Sequence, residues 1–111
     1  MDRRDRILLN KMLDEAKVIT GFIEGYDCAL FLDDEKTKRA VCMALINIGE
    51  MVKALSDEVK SNNSEIPWRL IMGLRNVEAH GYQTLSMEDI WETVSVDILA
   101  LQGQIKEIIQ K

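Results

Sequence analysis

Proline and histidine each occur once in 111 residues, cysteine occurs twice, and Phe, Trp and Tyr contribute two residues each. Each scarcity excludes something. A single proline and six glycines leave few helix breakers, and with few aromatics the chain favours helices over sheets. Cys28 and Cys42 stand alone with no C-x-x-C pair, which points to reduced thiols rather than a disulfide. With one histidine besides, a zinc site built from a single chain is disfavoured. No apolar run is long enough to span a bilayer. The charged start Met1-Asp2-Arg3-Arg4-Asp5-Arg6 is followed by Asn10, Lys11, Asp14, Glu15 and Lys17 in place of an unbroken apolar signal region, so the expected location is the cytoplasm, away from any membrane.

What is present fits one globular domain over residues 1–111. Hydrophobic residues make up 47% and charged residues 30% of the chain; at this length folding hides roughly two-thirds of the unfolded surface, and a second domain would not fit. The net charge of −5 argues against coating nucleic acid by electrostatics alone, because counterion release needs several cations facing phosphates. It leaves room for an enzyme that handles nucleic acid locally. Lys36, Lys38 and Arg39 form a basic cluster that reads as a solvated helix face.

Apolar residues at Leu9, Met12, Leu13, Ala16, Ile19 and Ile23 recur every three or four positions, which predicts a helix over about residues 4 to 24, stopped at Gly25. After a loop through Tyr26-Asp27-Cys28, Asp33 or Asp34 can cap a second helix whose stripe is Val41, Ala44, Leu45, Ile48, Val52 and Leu55. Ser61-Asn62-Asn63-Ser64 reads as a turn, and Pro67 suits the first position of a third helix. Ser86, with Glu88 and Asp89 behind it, resembles a capping box opening a last helix with its seam at Val94, Ile98, Leu101, Ile105 and Ile108. No alternating strand pattern occurs. The expected fold is all-α, an up-and-down bundle of four to five helices, with the methionines as core filler and Trp68 and Trp91 as packing anchors.

The third of these helices carries Arg75-Asn76-Val77-Glu78-Ala79-His80-Gly81-Tyr82. Phosphodiester cleavage needs a fixed cation for the charge that builds on phosphorus and an imidazole that moves a proton near neutral pH; Arg75 and His80 are those two groups. On a continuous helix Asn76 and His80 share one face and Arg75 and Tyr82 the neighbouring one. Arg75 and His80 lie roughly 140° apart on an ideal helix, so they meet only where the helix unwinds, and Gly81 is placed to allow that. A plainer reading stands beside this one: Arg and His at a helix end commonly cap carbonyls or pair with acids such as Glu78.

Arg75-Asn76-x3-His80-x-Tyr82 resembles the Arg-x4-His-x-Tyr signature of HepT-like proteins of the HEPN superfamily. The resemblance extends along the chain through Phe31-Leu32-Asp33, Arg39-Ala40-Val41, Ile48-Gly49-Glu50, Ile66-Pro67-Trp68-Arg69, Gly73-Leu74-Arg75-Asn76 and Ile90-Trp91-Glu92-Thr93-Val94, in order. It implies a helical bundle that forms a homodimer, and the toxin of a toxin–antitoxin pair that cuts RNA with neither metal nor cofactor, partnered by an MNT-type nucleotidyltransferase antitoxin. By the same resemblance His80 acts as general acid or base, Arg75 holds the scissile phosphate, Asn76 orients it, and Tyr82 is the residue the antitoxin AMPylates. Arg69 flanks the motif as a support, and Glu50 either bonds Arg75 or Arg69 across the bundle or is an ordinary solvated acid.

Attack of a ribose 2′-hydroxyl on the adjacent phosphate needs one group to remove a proton and another to protonate the leaving 5′-oxygen. One histidine per chain supplies half of that, and a symmetric dimer supplies the other half. A module of another class also fits: a non-catalytic nucleotide- or RNA-binding partner of a nucleotidyltransferase. A helical bundle with no ligand is the third reading.

Overall fold

The computed structural model describes residues 1–77 and 86–111, with Val77 by its backbone only. Helix α1 spans Arg3–Phe22, opened by the Asp2 side chain, which accepts from the Asp5 amide. Its stripe Leu9, Met12, Ala16 and Ile19 is buried, and the chain leaves it through a turn where Gly25 takes φ 78, a left-handed value that glycine adopts without strain. Helix α3, Glu35–Ala54, starts at Asp34, whose carboxylate accepts from the Thr37 amide, and buries Val41, Cys42, Ala44, Leu45, Ile48, Gly49 and Val52. The two long helices pack on one another, and Asn47 Nδ2 donates to Glu15 Oε1 across the pair at 3.4 Å.

Two short helices lie outside the four expected from the sequence. Helix α2 is Cys28–Asp33, capped by Asp27, which accepts from the Leu30 amide; helix α4 is Asp57–Asn62, capped by Ser56, which accepts from the Val59 amide. Each is held from outside itself. Phe31 of α2 is fully buried and meets the Trp91 ring at 5.3 Å and 40°, an aromatic pair worth about 1 kcal/mol beyond its buried area. Beyond α4 the turn occupies residues 63–65, later than the expected 61–64, and buried Asn63 fixes it by donating from Nδ2 to the Val59 carbonyl at 2.9 Å and accepting from Trp68 Nε1 at 3.0 Å.

Helix α5 is Trp68–Met72. Pro67 stands just before it, at φ −79 and ψ 68 with the Trp68 amide bonded to the Ile66 carbonyl at 2.8 Å, which is an inverse γ-turn; the expected first helical position shifts by one residue. Past Met72 the chain tightens into a 3₁₀ turn, Gly73–Val77.

After the gap in the described residues, Ser86 caps α6, Met87–Glu92, by accepting from the Asp89 amide. A π-helical turn at Thr93–Asp97 leads into α7, Ile98–Gln110. Here Ile98 N–H reaches back five residues to the Thr93 carbonyl, while the Thr93 and Ser95 hydroxyls donate to the carbonyls four residues behind them, at 3.1 and 2.6 Å, a competition that distorts helices. The predicted seam Val94, Ile98, Leu101, Ile105 and Ile108 is buried nonetheless. The fold is an all-α helical bundle with no strand among the described residues, and no helix among them is long and apolar enough to cross a membrane. Met12 is core, and Met51, Met72 and Met87 pack against the core, but Met43 is 59% exposed, which corrects its assignment as filler: it projects from the face of α3 opposite the stripe. Lys38 and Arg39 both pair with Glu35 on the first turns of α3, at 3.2 and 3.1 Å.

Candidate active site

The segment that presents Arg75 is fixed at three places. Trp68 and Ile71 of α5 are buried, Leu74 packs against the core, and the Trp68 indole is tied to the Asn63 carbonyl. On its other flank the 3₁₀ turn lies directly on α3. A Cβ built on Gly49 would stand 2.5 Å from the Arg75 amide nitrogen, 3.0 Å from Arg75 Cβ and 3.1 Å from the Met72 carbonyl oxygen. Two stretches of backbone touch there because α3 has no side chain in the way.

Arg75 itself is half-buried and Asn76 is exposed. Arg75 and Asn76 stand on the 3₁₀ turn Gly73–Val77, wound more tightly than an α-helix, and the pairings of Asn76 with His80 and of Arg75 with Tyr82 fall on residues outside the described ones. His80, Gly81 and Tyr82 lie outside the described residues, and with them the expected convergence of arginine, histidine and tyrosine.

Arg69 is exposed on α5 and Glu50 is exposed on α3, next to Gly49. Among the described residues the ion pairs are those of Glu35 with Lys38 and Arg39, so of the two options for Glu50 the described contacts support the solvated acid. Among the described residues neither Arg69 nor Arg75 is paired with a carboxylate, and Glu78 lies outside them. A guanidinium is charged at any physiological pH and offers an anion a planar fork of donors. Among the described residues no three His, Cys, Asp or Glu side chains converge on one point.

An apolar cleft of about 330 Å³ opens between α5 with its 3₁₀ extension and the helix running from the π turn into α7. Leu70, Leu74 and Leu101 line it, with Thr93, Asp97 and Gln104 as polar members. Leu74 turns into this cleft one residue before Arg75. Reading for charge and proton transfer gives Gly49 no role, although the sequence carries a signal: it is an isolated glycine inside α3 beside the stripe residue Ile48, and a glycine kept inside a helical pattern points to a packing reason.

Residues 12–108 match the family described as Ribonuclease HepT-like. A candidate RNase of Caldanaerobacter subterraneus subsp. tengcongensis is 35% identical over 106 residues, covering 96% of this chain and 95% of that one. The candidate ribonuclease HepT of Thermococcus cleftensis is 32% identical over 108 residues, covering 97% and 98%, and a candidate RNase of Methanocaldococcus jannaschii is 34% identical over 109 residues, covering 97% and 88%. No solved structure matches the chain. An all-α bundle that sets an arginine and an asparagine on a tight turn, together with a match over nearly its whole length, makes this chain a member of the HepT-like family of HEPN ribonucleases.

Proposed function

We propose that this chain is the toxin of a toxin–antitoxin pair, a metal-independent endoribonuclease whose complete site forms between two copies. The observation that carries the reading is Arg75: a half-buried cation on a turn seated against α3, beside exposed Asn76 and with no carboxylate partner among the described residues. Arg75 holds the scissile phosphate and neutralises the charge of the phosphorane, and Asn76 orients it. One His80 takes the proton from the 2′-hydroxyl, whose oxygen bonds to phosphorus as the P–O5′ bond breaks. The partner copy's imidazole protonates the departing 5′-oxygen. The products are a 2′,3′-cyclic phosphate and a 5′-hydroxyl, and no step requires magnesium. The purified protein should cleave RNA with EDTA present and leave cyclic phosphate ends, and His80→Ala should lower the rate by about 10²-fold or more. Undiminished cleavage by His80→Ala would sink the mechanism. The net charge of −5 favours one competing reading, the non-catalytic binding module, because an acidic protein binds RNA weakly through charge alone; that module would yield no products in the same assay.

Silencing is read at Tyr82. An AMP group placed on that hydroxyl by an MNT-type nucleotidyltransferase would carry a negative phosphate to within two residues of His80, competing with RNA for the space and for the Arg75 charge. Intact-mass measurement after co-expression with the cognate nucleotidyltransferase should show a single AMP adduct on the wild type and none on Tyr82→Phe. Equal adducts on both would reject the site.

A further inference from the structure

We propose that Gly49 is a positioning residue for Arg75: the absent side chain on α3 lets the 3₁₀ turn seat backbone to backbone, and that seat sets the point from which the Arg75 guanidinium reaches the phosphate. The inference rests on the reading of Arg75 as the phosphate-holding cation. Gly49 is buried, and the atoms a Cβ would meet are the Arg75 amide nitrogen at 2.5 Å, Arg75 Cβ at 3.0 Å and the Met72 carbonyl oxygen at 3.1 Å. None of these is the far end of a flexible side chain. Carbon contacts are comfortable at about 3.5 Å or more, so a methyl group here would move the turn by about 1 Å. The rest of the segment cannot absorb that shift quietly, because Trp68 and Ile71 are buried behind it and Leu74 packs on the core. The contrast with other glycines is sharp: a Cβ at Gly21, Gly73 or Gly103 meets nothing within 4 Å.

A 1 Å misplacement of a catalytic group costs on the order of 100-fold in rate. The loss should fall on kcat more than on KM, since a displaced guanidinium still attracts RNA by its charge but no longer meets the phosphorane where charge develops.

The test uses four full-length proteins, all carrying Gly103→Ala, which replaces an exposed mid-helix glycine facing open space and so adds stability away from the site. They are this parent, Gly49→Ala, Arg75→Ala, and both together, assayed for cleavage of one RNA oligonucleotide. Gly49→Ala is expected to lower kcat about 100-fold with KM changed by less than about threefold, and to lower the residual rate of Arg75→Ala by less than about twofold, because a residue that acts through Arg75 has nothing left to act on. Three results overturn the proposal: parental kcat in Gly49→Ala, an equal loss in both backgrounds, or failure of Gly49→Ala to fold even with Gly103→Ala present, which would make Gly49 a packing residue. If Arg75→Ala cleaves at the parental rate, the reading of Arg75 itself falls, and the positioning role falls with it.

Discussion

Asp5 is an acid that most sequences would leave in water, yet it is 4% exposed. Its carboxylate accepts from the Ser56 amide at 3.0 Å and from the Ser56 hydroxyl at 2.7 Å, joining the first turn of α1 to the cap of α4. Desolvation by burial raises its pKa, but the two Ser56 bonds, with smaller help from Asp2 and Arg4, together outweigh it, so the group titrates below 3.8. A carboxyl with a folded pKa below its unfolded value contributes stability that is fully present above the unfolded value and is lost as pH falls through the folded one. Asp34 obeys the same sign, held at about 2 by the Tyr26 hydroxyl first and then by the Thr37 amide and hydroxyl. Asp5→Ala should therefore destabilise the protein at neutral pH by about 2 kcal/mol, the usual cost of stranding charge-assisted hydrogen-bond donors. Urea midpoints of variant and wild type should converge as pH drops below about 4. A gap that stays constant down to acid pH would mean that the link contributes through packing alone.

At the scale of elements, legibility follows length. The stripes Leu9–Met12–Ala16–Ile19 and Val41–Leu45–Ile48–Val52 and the seam Val94–Ile98–Leu101–Ile105 are all buried, because over several turns a 3.6-residue period can be satisfied in only one way. Helices α2 and α4 show no such period. They are six residues each, and what holds them is a single cap residue plus a distant partner, Trp91 for Phe31 and the core for Val59; neither partner is visible in local sequence. The π turn is hidden for another reason. Its seam reads as ordinary helix, and only the Thr93 and Ser95 hydroxyls bonding to carbonyls four residues back betray the wider winding. In the site, Arg75 and Asn76 are legible as residue types in a pattern, whereas their seat is not. The 3₁₀ winding after Met72 and the Gly49 contact depend on packing against α3, and neither is written in the local spacing of Arg75 and Asn76.

For the whole molecule the question is whether one copy suffices. Under the proposed mechanism, a chain with one histidine has to remove one proton and deliver another within a single cleavage step, which calls for a second proton carrier. A second copy is the simplest source, since a two-fold axis brings identical sites together. The surface beside Arg75 is suited to such a contact. Leu70 is 75% exposed and lines the apolar cleft together with Leu74, the residue before Arg75. Two chains of charge −5 repel, so salt should tighten the dimer by screening while weakening RNA binding. If the dimer is the active unit, activity per chain should fall on dilution through the same midpoint at which light scattering shows the mass of two chains giving way to one. Leu70→Glu should move both midpoints to higher protein concentration together, without lowering the thermal midpoint of the monomer, because a side chain this exposed contributes little to the fold of a single chain. Activity per chain that stays constant while the dimer dissociates would place both proton transfers within one copy, and the second carrier would then have to be found among the side chains beside its single His80.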